Sequence, residues 1–128
     1  MRVLLDTHAL LWADLEPERL SARARSVLEL ISTEVMVSAA SAWEITTKVR
    51  IGKLPQAARL AAELPDRVRQ LGFHPLAVTV EHAQRAGSLP GTHRDPFDRM
   101  LIAQAQAENL ALVSNEAAFD SYGVRRIW

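Results

Sequence analysis

The run Val3-Leu4-Leu5 ends on Asp6, and Thr7-His8-Ala9-Leu10-Leu11-Trp12-Ala13 follows with no turn residue between. A short run of leucine and β-branched residues without polar alternation reads as a strand buried on both faces of a parallel sheet. The next segment is helix-forming from Ala9 to Ala13, with Thr7 the expected N-cap. Asp6 is thereby placed at the carboxyl end of a first strand, the edge where open α/β sheets carry their ligands. A carboxylate there is costly to desolvate unless a cation meets it.

The same alternation of strand and helix continues along the chain. Ser21 to Ile31 has helical apolar spacing through Val27, Leu28 and Ile31, and Val35 to Ser38 reads as a second buried strand. Ala39 to Ile51 is helical, with Ala42, Ile45 and Val49 in a stripe stopped near Gly52 and Pro55. Gln56 to Leu71 supplies more helix, broken at Pro65 and ended at Gly72, before a weaker third strand over Phe73 to Val78. Val80 to Ala86 is a short helix closed by Gly87, Pro96 to Asn109 a longer one, Leu110 to Ser114 a fourth strand, and Val124 to Trp128 a candidate fifth. Strands separated by helices indicate βαβ units. The expectation is an α/β fold: one three-layer α/β/α domain over residues 1–128 with a central parallel sheet.

Composition narrows the function. Fifteen basic residues balance fifteen acidic ones, so a nucleic-acid partner would need a local basic patch or a metal rather than bulk charge. Without cysteine there are no disulfides, thiolate metal sites or cysteine nucleophiles in this chain. No apolar run is long enough to span a bilayer, Asp6 interrupts any signal-like opening, and a cytoplasmic location is the default expectation.

Four acids stand at positions that matter. Asp95 precedes Pro96 and reads as the N-cap of its helix, while Asp98 continues the apolar stripe of Leu101, Ile102 and Ala105. Taken alone, both could merely cap the helix and complement its dipole. Glu44 lies beside a buried stripe, and alone it could be an exposed partner of Lys48 one turn on. Glu116 follows the fourth strand in Leu112-Val113-Ser114-Asn115-Glu116, where, taken alone, a first-turn helix carboxylate or a solvated loop residue is the expected reading. Taken together, Asp6, Glu44, Asp98 and Glu116 can converge on one sheet edge. Gathered carboxylates raise one another's pKa unless neutralised. Oxygen-only ligands suit Mg²⁺ or Mn²⁺ rather than Zn²⁺, and such ions neutralise charge developing on a phosphodiester.

The segments Leu4 to Trp12, Ser41-Ala42-Trp43-Glu44-Ile45, His93 to Ala105 and Leu112 to Glu116 resemble, in order, the motifs of PIN-domain ribonucleases, and most of all toxins of the VapC type. The resemblance covers essentially the whole chain. It implies a Mg²⁺-dependent endoribonuclease that acts on RNA, is held inactive by a cognate antitoxin and forms a homodimer. It also implies that Asp6, Glu44, Asp98 and Glu116 are the catalytic and metal-binding acids. Glu116 stands where the family usually has aspartate, and Asn115 where it usually has arginine. Ser114 matches a supporting hydroxyl position.

Arg94 and Arg99 flank the acidic loop and could meet RNA phosphates, or equally pair with nearby acids. His8 and His93 are given no catalytic role, and Trp12, Trp43 and Trp128 read as core or interface packing. Leu54, Leu60 and Leu64 are candidate exposed apolar residues for an oligomer contact. Two alternatives remain. A receiver-like phosphoacceptor domain is disfavoured, because Asp6 stands alone and no lysine follows Leu71. A catalytically inactive PIN scaffold is disfavoured by the retained acids.

Overall fold

The computed structural model describes residues 1–128, and its spine is a five-stranded sheet in which every neighbouring pair runs parallel, in the order β3-β2-β1-β4-β5. The strands are β1 (Arg2–Leu5), β2 (Glu34–Ser38), β3 (His74–Leu76), β4 (Ala111–Val113) and β5 (Arg126–Ile127). The helices are α1 (Thr7–Leu15), α2 (Ala22–Glu29), α3 (Ala39–Arg50), α4 (Ala58–Ala62), α5 (Leu64–Gln70), α6 (Val80–Ser88) and α7 (Pro96–Glu108). Short 3₁₀ turns at Pro17–Arg19, Pro55–Ala57 and Ala117–Tyr122 complete the chain.

Side chains alternate faces along each strand, and the two faces build two cores. Val3, Leu5, Val35, Val37, Ala111, Val113 and Ile127 face α1 to α5 through Leu10, Leu20, Ile45, Leu60, Leu64 and Val68. Leu4, Met36 and Leu112 face the other way, onto Leu101, Ile102 and Ala105 of α7 and Phe119 of the last 3₁₀ turn. The result is the expected three-layer α/β/α sandwich. Helix α6 leans on α7 through His82, which is buried. Its Nδ1 accepts from the Thr79 amide in a capping box, and its Nε2 lies 2.8 Å from Glu108 Oε1.

Several expectations need correction. Asp6, not Thr7, is the N-cap of α1: its Oδ1 accepts the Ala9 amide at 2.7 Å, and Thr7 is the first helical residue. Helix α2 ends at Glu29, so Ile31 is fully solvent-exposed and takes no part in the stripe. The Gln56–Leu71 helix breaks at Glu63, before Pro65, because a proline settles into the first turn of a new helix and cannot continue an old one. Gly87 lies inside α6 rather than closing it. Strand β3 is shorter than Phe73–Val78, and Pro75 is accommodated because β3 is an edge strand. Leu60 and Leu64 are core residues and Leu54 packs against that core, so none of the three offers an exposed apolar face.

Candidate acidic site at the strand-order reversal

Strand order reverses between β1 and β4: the chain builds outward to β2 and β3 on one side, and to β5 on the other. Ligands of open α/β sheets bind outside the carboxyl ends of strands at such a reversal. Asp6 ends β1 at this crevice, and its amide donates to the Val113 carbonyl at the end of β4 at 3.0 Å. Its neighbour across the crevice, Ser114, is fully buried and accepts the Glu116 amide at 2.9 Å.

Asp6 is only 4% exposed. Burial pushes its carboxyl up to about 6 from an ordinary 3.8. The Ser114 hydroxyl, the Ala9 amide and the field of His8 oppose that rise, and the negative field of Asp98 adds to it. A cation at this crevice would favour the ionised form of such a buried carboxyl.

Asp98 sits at the third position of α7, half-buried, with the helix face behind it carrying Leu101, Ile102 and Ala105 into the core. Burial raises its carboxyl, and Asp95 and Glu44 push it further; the bond from His93 works against them. His93 Nε2 lies 2.9 Å from Asp98 Oδ2. Asp95 performs the expected cap: its Oδ1 accepts the amides of Phe97 and Asp98 at 2.9 and 3.1 Å.

Glu44, on α3, pairs with Lys48 as the spacing allows, but at 4% exposure it is buried rather than the exposed partner expected of a surface pair. Its Oε1 accepts from the Thr7 hydroxyl at 2.6 Å and its Oε2 from the Lys48 ammonium at 2.5 Å. The Thr7 and Ser41 hydroxyls lie 3.1 Å apart, both buried. Glu116 is exposed in the loop after β4 and makes no side-chain cap to the 3₁₀ turn it precedes.

Asp6, Glu44 and Asp98 thus lie on one edge, with Glu116 beside it on the loop after Ser114. No three acids or histidines close into a ready-made cage. The donors are hard oxygens and two of the carboxyls are raised by burial and mutual repulsion, which fits a divalent cation completed by water.

The arginines separate. Arg94 is exposed beside the acidic loop. Arg99 is spent on structure: its guanidinium donates to the carbonyls of Ala86 at 3.1 Å, His93 at 3.0 Å and Leu89 at 2.5 Å, pinning the acidic loop to α6. These bonds make Arg99 an anchor of the acidic loop. Trp12 and Trp128 pack together with centroids 5.6 Å apart, whereas Trp43 is 67% exposed and meets Phe97 edge-on, so it is not a core residue. Thr7 as the partner of Glu44, and Ser41 as the partner of Thr7, are contacts that local spacing does not reveal, while His93 is the hydrogen-bonded neighbour of an acid that its position suggests. Their one available signal was adjacency: Thr7 follows Asp6, Ser41 precedes Glu44 by one helical turn, and His93 opens the loop before Asp98.

Comparison with known proteins identifies the family and the fold. The PIN-domain family pattern matches residues 3–124. Ribonuclease VapC22 of Mycobacterium tuberculosis is 30% identical over 123 residues, covering 94% of this chain and 91% of that protein. Ribonuclease VapC16 of the same organism is 39% identical over 74 residues, 56% of this chain and 52% of that protein, so this match spans about half the relative's length. Among solved structures, VapBC2 of Rickettsia felis bound to a promoter DNA fragment superposes with a TM-score of 0.73 at 18% identity, covering 98% of this chain and 97% of that one. FitAcB of Neisseria gonorrhoeae gives a TM-score of 0.61 at 20% identity, covering 98% and 96%. At those identities the structures speak for the fold alone, while the family pattern and the full-length relative speak for descent. The chain belongs to the PIN-domain family, among its VapC ribonucleases.

Proposed function

We propose that this chain is a Mg²⁺-dependent endoribonuclease, with Mn²⁺ an effective substitute, and the toxin of a toxin–antitoxin pair. VapC ribonucleases of the PIN family are metal-dependent in general. The observation that carries the proposal here is Asp6: a buried carboxyl ending β1 at the strand-order reversal, raised by burial and by the negative field of Asp98. The residues 1–128 act as one domain; Asp6 and Asp98 would hold the ion directly, with Glu44 and Glu116 contributing through its water shell.

When bound, the ion polarises a water and neutralises charge developing on the phosphodiester. The chain does the rest. Asp6 at the start of α1 and Asp98 in the first turn of α7 would hold the ion, Ser114 steadies the β4 end of the crevice, and Asp95 fixes the first turn of α7. Arg94, free at the rim, meets a backbone phosphate of the RNA. Water's oxygen bonds to phosphorus as the bond to the leaving oxygen breaks, giving one phosphate end and one hydroxyl end.

The solved relatives named VapBC are toxin–antitoxin complexes, and we extend that partnership to this chain: a cognate antitoxin covers the acidic crevice. The toxin works in the cytoplasm as a two-fold homodimer. No helix here is long and apolar enough to cross a membrane. A receiver-like phosphoacceptor is set aside by topology, because receivers have the order 2-1-3-4-5 and this sheet has 3-2-1-4-5.

The test is cleavage of tRNA, rRNA and mRNA fragments by the pure chain with Mg²⁺, with EDTA, and with Asp6→Ala as control. Magnesium-dependent cutting that Asp6→Ala abolishes supports the proposal. A folded chain that binds RNA without cutting any of the panel is the inactive scaffold instead.

A further inference from the structure

One cation already sits in the acidic crevice, and the function proposed above does not use it. Lys48 lies one helical turn after Glu44 on α3, and its ammonium is 2.5 Å from Glu44 Oε2. An exposed i, i+4 pair holds its two charges in water and contributes little. This pair differs, because its acid is almost wholly buried and tied on its other oxygen to Thr7. The ammonium is itself only partly exposed, so the pair sets a fixed positive charge against a buried carboxylate.

We propose that Lys48 is a resident cation of the crevice, occupying the Glu44 side and restricting the site to a single divalent ion on the Asp6–Asp98 side. Two-metal sites hold their ions about 3.5–4 Å apart, which demands a dense set of free carboxylates between them. Here Oε1 of Glu44 is bonded to Thr7 and Oε2 to a fixed positive charge. A second dication at Glu44 would have to displace the ammonium or stand beside it. Asp6, which has no such cation, is left as the pole for the divalent ion. Lys48 is accordingly a positioning residue: it holds Glu44 in place and sets the charge of the site.

The inference rests on the metal site proposed above, and counting ions separates the two. Metal-free wild type, Lys48→Met and Lys48→Arg are titrated with Mn²⁺, following free ion by electron paramagnetic resonance and heat by calorimetry. Wild type and K48R take one ion per chain, and K48M takes two. Lys48→Gln repeats the count should K48M fold poorly, and circular dichroism verifies each fold. Wild type taking two ions, or both neutral variants still taking one, overturns the role of Lys48 while leaving the metal site standing. Wild type that takes no Mn²⁺ at millimolar concentration overturns the metal site and Lys48's role with it.

Discussion

Thr7 donates to Glu44 across 2.6 Å, joining the first residue of α1 to the middle of α3. Both residues are buried, so the bond is made out of water, where an unmet carboxylate oxygen costs more than a lost surface contact. Thr7→Val keeps the shape and removes the donor. It should destabilise the protein by about 1–3 kcal/mol, as for a buried acceptor left unsatisfied. Thr7→Ser keeps the hydroxyl and should recover most of the loss. Urea unfolding of the three proteins checks this, and a T7V midpoint equal to wild type would remove the bond from the fold's support.

Asp6 predicts an unusual pH dependence. Its folded pKa of about 6 lies above the ordinary 3.8, so the protonated form is favoured in the metal-free protein. The stability this contributes is full below about pH 4 and is lost as pH rises through 6. A shift of this size corresponds to on the order of 3 kcal/mol. Asp6→Asn, which keeps an N-cap acceptor, should raise the melting temperature of the metal-free protein at pH 7 and flatten its slope between pH 4 and 7. A slope unchanged by the substitution would place the titration elsewhere.

Asp95 and Asp98, three residues apart, should behave oppositely. Asn caps about as well as Asp, so Asp95→Asn should retain substantial cleavage. Asp98→Asn removes charge from the crevice and should cost orders of magnitude in rate. Single-turnover cleavage at saturating Mg²⁺ decides it. Equal losses in the two variants would mean that Asp95 also meets the metal.

His93 holds Asp98 down against burial and two neighbouring acids. Its replacement by Gln should lift the Asp98 carboxyl further and move the acid limb of the pH–rate profile to higher pH. A profile that falls in height without moving would assign His93 to loop order alone.

The arginines give a paired test. Arg94→Ala should weaken RNA binding uniformly and reduce the salt dependence by about one phosphate contact. Arg99→Ala strips the bonds to three carbonyls and should lower stability before it touches affinity. Filter binding across a salt series, set beside thermal melts, distinguishes them.

The sequence displays its sheet clearly, because Val3-Leu4-Leu5, Val35-Met36-Val37 and Leu112-Val113 are buried on both sides and need no alternation. Asp6, Asp98 and the Asp95 cap were legible for a related reason: each stands at the junction of an unambiguous strand or helix. The sequence was less informative where local preference and tertiary need diverge. Leu60 and Leu64 look like surface residues of a long helix until the break at Glu63 turns their helices onto the sheet. The anchoring role of Arg99 is not legible because its three carbonyl partners come from α6 and the loop beyond it, which no spacing rule connects. Lys48 is visible as the partner of Glu44, but the burial of Glu44 and its bond to Thr7 depend on how α1 and α3 pack.

The strand order carries a consequence for how the crevice fails. Asp6 and Ser114 end the two inner strands, β1 and β4, while β3 and β5 form the rims. Rim strands fray first, and protection from hydrogen exchange deepens toward the middle of a sheet. Amides of β3 and the two-residue β5 should exchange early, while those of Leu4, Leu5 and Val113 exchange only with global unfolding. The carboxylate edge therefore outlasts local opening. Heat or denaturant should take activity away in a single step together with the whole fold, with no loosened intermediate that has lost its acids.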